Sequence, residues 1–180
     1  MSKISAKSID TYPWYIRLLC KKQKKKYGAP LEPTLLWGRT PKVFLGFLLM
    51  QKGLNRKDSP LDPILRTLVS VKVSELNGCA FCIDMNSFLL LQKGGSEKKL
   101  GALAEYQNNP IFSEKERVAF EYAEAIIGLS AKISDELSKK LKIHFNDDEI
   151  IELTALIGYQ NLSCKFNTAL DITAFGFCKK

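Results

Sequence analysis

The chain has 180 residues, 46% of them hydrophobic, and a net charge of +8. That suits one domain with a full core, or one domain with an N-terminal extension. No apolar run reaches transmembrane length and no signal-peptide pattern opens the chain; five cysteines, with one pair close in sequence, argue against a secreted disulfide framework. A reducing, cytoplasmic setting with no membrane association is therefore expected.

The first ten residues are polar. Pro13 suits the first turn of a helix in which Tyr15, Leu18 and Leu19 form an apolar stripe, and Gly28-Ala29-Pro30 ends it. Arg17, Lys21, Lys22, Lys24, Lys25 and Lys26 make this helix strongly basic. Such a run reads first as a solvated face, with an anionic partner as the alternative. The chain carries no helix-turn-helix, zinc-finger or aromatic-basic RNA motif, so nucleic acid is not expected as a partner.

Residues 31–41 read as a connector punctuated by Pro33, Gly38 and Pro41, with Trp37 as a buried anchor. Pro41 starts a second helix reaching about Gln51. It is apolar nearly all round, which points to burial in the domain or in a subunit interface. A basic loop follows from Gly53 to Pro60. Asp62 and Pro63 then read as the cap and first position of a helix running to Leu76. Its middle, Val69-Ser70-Val71-Lys72-Val73-Ser74, alternates like a strand. The helical spacing of Ile64, Leu65, Leu68 and Val71, and the lack of any second strand to pair with, favour helix.

Asn77-Gly78 breaks the chain before Cys79-Ala80-Phe81-Cys82. A helix starting near Cys79 and running to about Lys93 places both thiols in its first turn, where free N–H groups and the dipole favour a thiolate. The pair reads as redox-active. The alternatives are a zinc half-site or two structural cysteines. Zinc needs about four ligands, and Cys20, Cys164, Cys178 and the single His144 stand at no ligand spacing, so neither a metal nor a cofactor is expected.

Beyond Gly94-Gly95, Ser96 caps a short helix reaching about Tyr106. Ser113-Glu114-Lys115-Glu116 and Asn146-Asp147-Asp148-Glu149 are capping boxes, the second with Phe145 and Ile150 as a hydrophobic staple. Between these two helices, Ile133, Leu137 and Leu141 mark a shorter amphipathic one. The last helix is expected from Asp147 to about Phe175, with a bend near Gly158. The sum is an all-α domain of seven or eight helices.

The phrase Val-x-Val-Ser-Glu-Leu-Asn-Gly-Cys-Ala-Phe-Cys-Ile-Asp-Met, ending at Met85, resembles the alkylhydroperoxidase AhpD / carboxymuconolactone decarboxylase family. Phe112 to Arg117, Phe145 to Leu153 and Asn161 to Leu170 resemble that family's later segments, so the likeness runs from about Pro41 to Phe175. It implies an AhpD-like helical bundle over 41–180, preceded by an extension, 1–40, carrying the basic helix. It also implies a homo-oligomer, trimer or hexamer, a peroxide substrate, and a lipoyl or thioredoxin-like reductant. In the family pattern Cys82 attacks the peroxide and becomes a sulfenic acid, and Cys79 resolves it as a disulfide.

Two positions depart from that pattern. Asn86 stands four residues after Cys82, where the family has His, and Thr67 stands twelve residues before Cys79, where its peroxidases have Glu. Neither replacement can act as a base at neutral pH. Glu75, Asp84 and Glu124 are candidate replacement acids, Glu124 by its family position. The expected catalytic set is therefore Cys82, Cys79, Asn86 as a polar orienter, and Glu124. The alternative to a peroxidase is a non-catalytic, redox-responsive oligomer switched by the Cys79–Cys82 disulfide.

Overall fold

A computed structural model describes residues 2–128 and 132–179. It contains nine α-helices among those residues and no strand: α1 (Trp14–Tyr27), α2 (Glu32–Trp37), α3 (Pro41–Leu54), α4 (Pro63–Leu76), α5 (Ala80–Gln92), α6 (Glu97–Ala102), α7 (Glu114–Ile127), α8 (Asp135–His144) and α9 (Asp147–Ala169). No helix among them is long and apolar enough to cross a membrane.

The bundle is built on α4, which packs against α5, α7 and α9. Every residue from Leu65 to Ser74 is buried. That is why the segment alternates like a strand: a helix enclosed on all sides needs no polar face. Its hydroxyls are satisfied within the helix, Thr67 Oγ1 donating to the Pro63 carbonyl at 2.8 Å and Ser70 Oγ to Arg66 at 2.9 Å. The start is as expected: Asp62 Oδ1 accepts from the N–H groups of Ile64 and Leu65, each at 2.9 Å. Both capping boxes form, at Ser113 and at Asn146, and Phe145 and Ile150 both join the main core.

Two expectations need correction. The stretch 31–41 is not a plain connector, because α2 occupies most of it. Pro33 lies in the first turn, where a missing N–H costs nothing, so a supposed breaker is a helix start. The last helix stops at Ala169 rather than near Phe175. Asp171 takes φ +55° just beyond it, and the chain turns back towards α5. There Asp84 accepts backbone N–H groups from Gly176 (2.6 Å), Phe177 (3.0 Å) and Cys178 (3.0 Å), fixing a C-terminal strap across the helix.

The N-terminal residues pack onto α3 and α9 through an aromatic cluster. Tyr12, Ile16, Cys20, Trp37 and Phe44 are buried together, and the Trp37 ring stacks on Phe166 of α9 with centroids 3.9 Å apart.

Candidate functional site

The α4–α5 turn sets the geometry. Gly78 has φ +60°, a conformation most L side chains avoid, and the N–H of Cys79 returns to the Ser74 carbonyl at 3.0 Å. This turn makes Cys79 the cap of α5: its Sγ accepts the Cys82 N–H at 3.3 Å. Cys82 follows within the first turn of α5. Both are buried.

A third sulfur joins them. Cys164, fully buried on α9, brings its Sγ into a cluster whose three sulfurs lie within 4.8 Å of one another. Asn167 Nδ2 donates to Cys82 Sγ at 3.2 Å, and Gln160 Nε2 to Cys164 Sγ at 3.3 Å. Three thiols at such distances share one negative charge. Hydrogen bonds from the Cys164 and Cys82 thiols, with the Cys82 N–H behind them, hold Cys79 down at about 3 despite its burial. With that charge in place, Cys164 is pushed up to about 11, chiefly by its interaction with Cys79. Cys82 is pushed well above the thiol range by its contacts with Cys164 and Cys79, then by burial.

Access runs the other way. A cavity of about 600 Å³ reaches Cys82 but not Cys79 or Cys164. One wall is aromatic: Trp37 on Phe47 with centroids 4.9 Å apart, and Phe47 on Tyr159 at 4.6 Å. Trp37, expected first as an anchor and only second as a ligand-binding residue, also lines the cavity. The Tyr159 hydroxyl is buried with no hydrogen-bond partner among the described residues, and burial first, then the neighbouring Cys82 sulfur, push it up so that it stays protonated.

Asn86 lines the cavity but makes no hydrogen bond to a sulfur among the described residues. Its Nδ2 donates to Ser74 Oγ at 3.1 Å, Gln160 Nε2 donates to the same oxygen at 3.2 Å, and Ser74 donates to the Ser70 carbonyl at 2.7 Å. Asn86 therefore reaches Cys164 through Ser74 and Gln160. Thr67, at the other departing position, accepts from Lys93 Nζ at 2.8 Å.

Glu124 is not brought to the thiols. Its carboxylate pairs with Lys72 Nζ at 2.8 Å and accepts from the Tyr106 hydroxyl at 3.0 Å. Lys72 stands two residues from both Ser70 and Ser74, and so on the other side of α4 from them. Asp84 is committed to the strap. Burial works against its charge, but the N–H groups of Phe177, Cys178 and Gly176 more than offset that and lower it overall. Glu75 is raised by burial, against the pull of Lys72. It does not line the cavity. His144 closes α8 and Cys20 belongs to the aromatic cluster of the extension.

The residues that sequence reasoning missed are Cys164, Asn167, Gln160, Tyr159 and Ser74. The readable signal was on α9, where Gln160, Cys164 and Asn167 recur at i, i+4 and i+7. They make a polar stripe on a helix whose other buried residues are mainly apolar.

Residues 41–125 match the profile of the carboxymuconolactone decarboxylase family. The uncharacterized protein YnjA of Escherichia coli K12 is 41% identical over 171 residues, covering 95% of this chain and 94% of its own. A peroxidase-related protein of Ralstonia eutropha JMP134 with an alkylhydroperoxidase AhpD core superposes with TM-score 0.86 at 18% identity, over 98% of this chain and 94% of that one. The debrominase Bmp8, in complex with 2,3,4-tribromopyrrole, superposes with TM-score 0.85 at 18% identity, over 99% and 96%. At such identities the structural matches establish the AhpD-like fold and nothing finer.

Proposed function

The chain belongs to the AhpD-like / carboxymuconolactone decarboxylase family, and from that premise we propose that it is a thiol-dependent peroxidase. The observation that carries this reading is the cluster itself: Cys82 opens onto a cavity while Cys79 and Cys164 stand within 4.8 Å behind it. The resting charge sits on Cys79. A proton passing from Cys82 to Cys79 moves that charge to the sulfur a substrate can reach. This transfer within the cluster stands in for the absent His and Glu relay.

The Cys82 thiolate then attacks the terminal oxygen of a hydroperoxide. The S–O bond forms, the O–O bond breaks, and the alkoxide leaves, steadied by the Tyr159 hydroxyl and protonated from solvent. Cys79, the most acidic of the three thiols, returns to thiolate and attacks the Cys82 sulfenic sulfur. Hydroxide leaves as water and the Cys79–Cys82 disulfide remains. Two electrons pass from the thiols to the peroxide, and an external dithiol, lipoyl or thioredoxin-like, must restore the pair. Asn86 positions Ser74 and Gln160 beneath the cluster, and Glu124 is a structural partner of Lys72. The protein works as a homo-oligomer, and the exposed apolar side of α3 forms its subunit contact.

The test is a peroxide titration of reduced protein, with thiols and disulfide followed by mass spectrometry. Wild type should lose two thiols per peroxide and form Cys79–Cys82. Cys82→Ser should lose none rapidly, and Cys79→Ser, which lacks the proton acceptor for Cys82, should oxidise far more slowly than wild type. Oxidation of wild type no faster than that of a free thiol would overturn the proposal.

A further inference from the structure

The cavity above Cys82 has a charge pattern that peroxide reduction does not explain. Its charged lining residues are Lys22, Lys26, Lys52 and Lys93, and among the described residues no Asp or Glu lines it. All four lysines are exposed and so belong to its rim rather than its floor. None has a carboxylate within 4.0 Å among the described residues. Lys26 rests over the Tyr27 ring at 5.0 Å and Lys93 donates to Thr67, contacts that hold an ammonium group without neutralising it. Desolvation and the nearby Arg66 charge lower Lys93 further from its usual basicity.

The lysines come from three separate places. Lys22 and Lys26 stand one turn apart on α1, on the side that carries Leu19 and Gln23 into the lining; Lys52 is in the last turn of α3; Lys93 follows α5. Two of the lysines in the basic run of α1 are thus part of the cavity, and α1 is one of its walls. Below the rim one wall is apolar and aromatic down to Cys82, while Asn86, Gln160 and Asn167 are the polar groups on the floor beside the thiol. The volume, about 600 Å³, is within the range of small-molecule sites, roughly 300–1,000 Å³. An aromatic shaft ending at a thiol under a rim of unpaired cations suits one class of ligand: an apolar body with an anionic end.

We propose that the cavity takes hydroperoxides of amphipathic carboxylates, with the apolar body along Trp37, Phe47 and Tyr159, the peroxide at Cys82 and the carboxylate among the four lysines. For the reacting group this rests on the peroxidase reading; the anionic, apolar ligand class rests on the cavity alone. The reaction converts the hydroperoxide to the corresponding hydroxy acid and water as the two thiols become a disulfide. The carboxylate is a spectator held by charge.

Trp37 reports on the cavity, and Trp14→Phe removes the other, exposed tryptophan. The first measurement titrates this reduced full-length protein with dodecanoate and with methyl dodecanoate, both below the concentrations at which they aggregate. The acid should change Trp37 emission and bind roughly five- to tenfold more tightly than the ester, the sum of several exposed charge contacts. Added salt should narrow the difference. Lys22→Gln with Lys26→Gln, and separately Lys52→Gln with Lys93→Gln, should each lose part of the preference while ester binding is kept. That retained binding also shows the variants are folded. The second measurement compares linoleic acid hydroperoxide with its methyl ester, expecting a lower KM for the acid.

Equal binding of acid and ester, or a preference untouched in both lysine pairs, overturns this inference. If peroxides are reduced without preference for the acid, it fails while the peroxidase reading stands. If no peroxide is reduced but the lysine-dependent preference for dodecanoate persists, the peroxidase reading fails and the ligand class stands.

Discussion

At the scale of single residues, three buried sulfurs lie within 4.8 Å of one another and their environments push their acidities apart. Cys79 is stabilised as the thiolate by thiol and N–H donors, while Cys82 and Cys164 are held as thiols. The consequence for pH has two branches. Cys79 falls from an unfolded value of about 8.5, so its contribution to stability is complete above that value and is lost as pH falls towards about 3. Cys82 and Cys164 are raised, so their thiols favour the folded state less once the unfolded chain can ionise them, above about pH 8.5. Thiolate absorbance of the reduced protein, followed against pH, should keep one thiolate well below pH 7 in wild type and lose it in Cys79→Ser. The acid branch of thermal stability should be shallower in that variant. A wild type in which all thiols titrate together near the ordinary value would refute this account. Local sequence made the Cys79–Cys82 pair legible because both sulfurs sit on one turn. Cys164 was not legible, because its place depends on the register in which α9 packs against α4 and α5, and no local signal encodes that register. Glu124 was singled out by its family position alone, and its partners, Lys72 and Tyr106, were not readable locally because they stand on other elements.

At the scale of elements, legibility followed how local the determining interaction was. Caps at Asp62, Ser113 and Asn146 involve neighbours three residues away and fell where the sequence placed them. The end of α9 did not, because what ends it is partly distant. The strap after Asp171 is tied to Asp84, on a helix more than eighty residues earlier in the chain. Asp84→Asn should weaken this tie by about 1–3 kcal/mol, since hydrogen bonds to a charged acceptor are replaced by bonds to a neutral one. Hydrogen exchange at Gly176, Phe177 and Cys178 should accelerate, with little change in α4. In wild type the Asp84 contribution is full above the unfolded value of about 3.9 and is lost as pH falls through the lowered folded value. Exchange in the strap that is unchanged by Asp84→Asn would mean its packing, through Phe177 on Tyr27 and Phe88, suffices to hold it.

At the scale of the whole molecule, α3 walls the cavity on one side and leaves an apolar face outward on the other. Its inner side gives Phe44, Phe47, Leu48 and Gln51 to the cavity. Its outer side leaves Val43, Leu45, Leu49 and Met50 exposed, with Val43 and Leu49 at 60% and 61%. A helix apolar on both sides is expected inside a domain or between subunits, and here one side is within the domain while the other faces out. If copies of the chain cover that outer side, as proposed above, they also back the cavity wall from behind. Leu49→Glu would place a charge in the contact, with a burial cost of several kcal/mol when unpaired, so sedimentation should find wild type as an oligomer and the variant as a monomer. Helix content by circular dichroism should be unchanged, because Leu49 lies outside the core of the single chain. Peroxide reduction should fall in the monomer while the three thiols remain titratable, since the wall loses its backing but the cluster does not. A monomeric wild type, or a Leu49→Glu variant with wild-type mass, would separate α3 from assembly and leave its outer apolar side without that role.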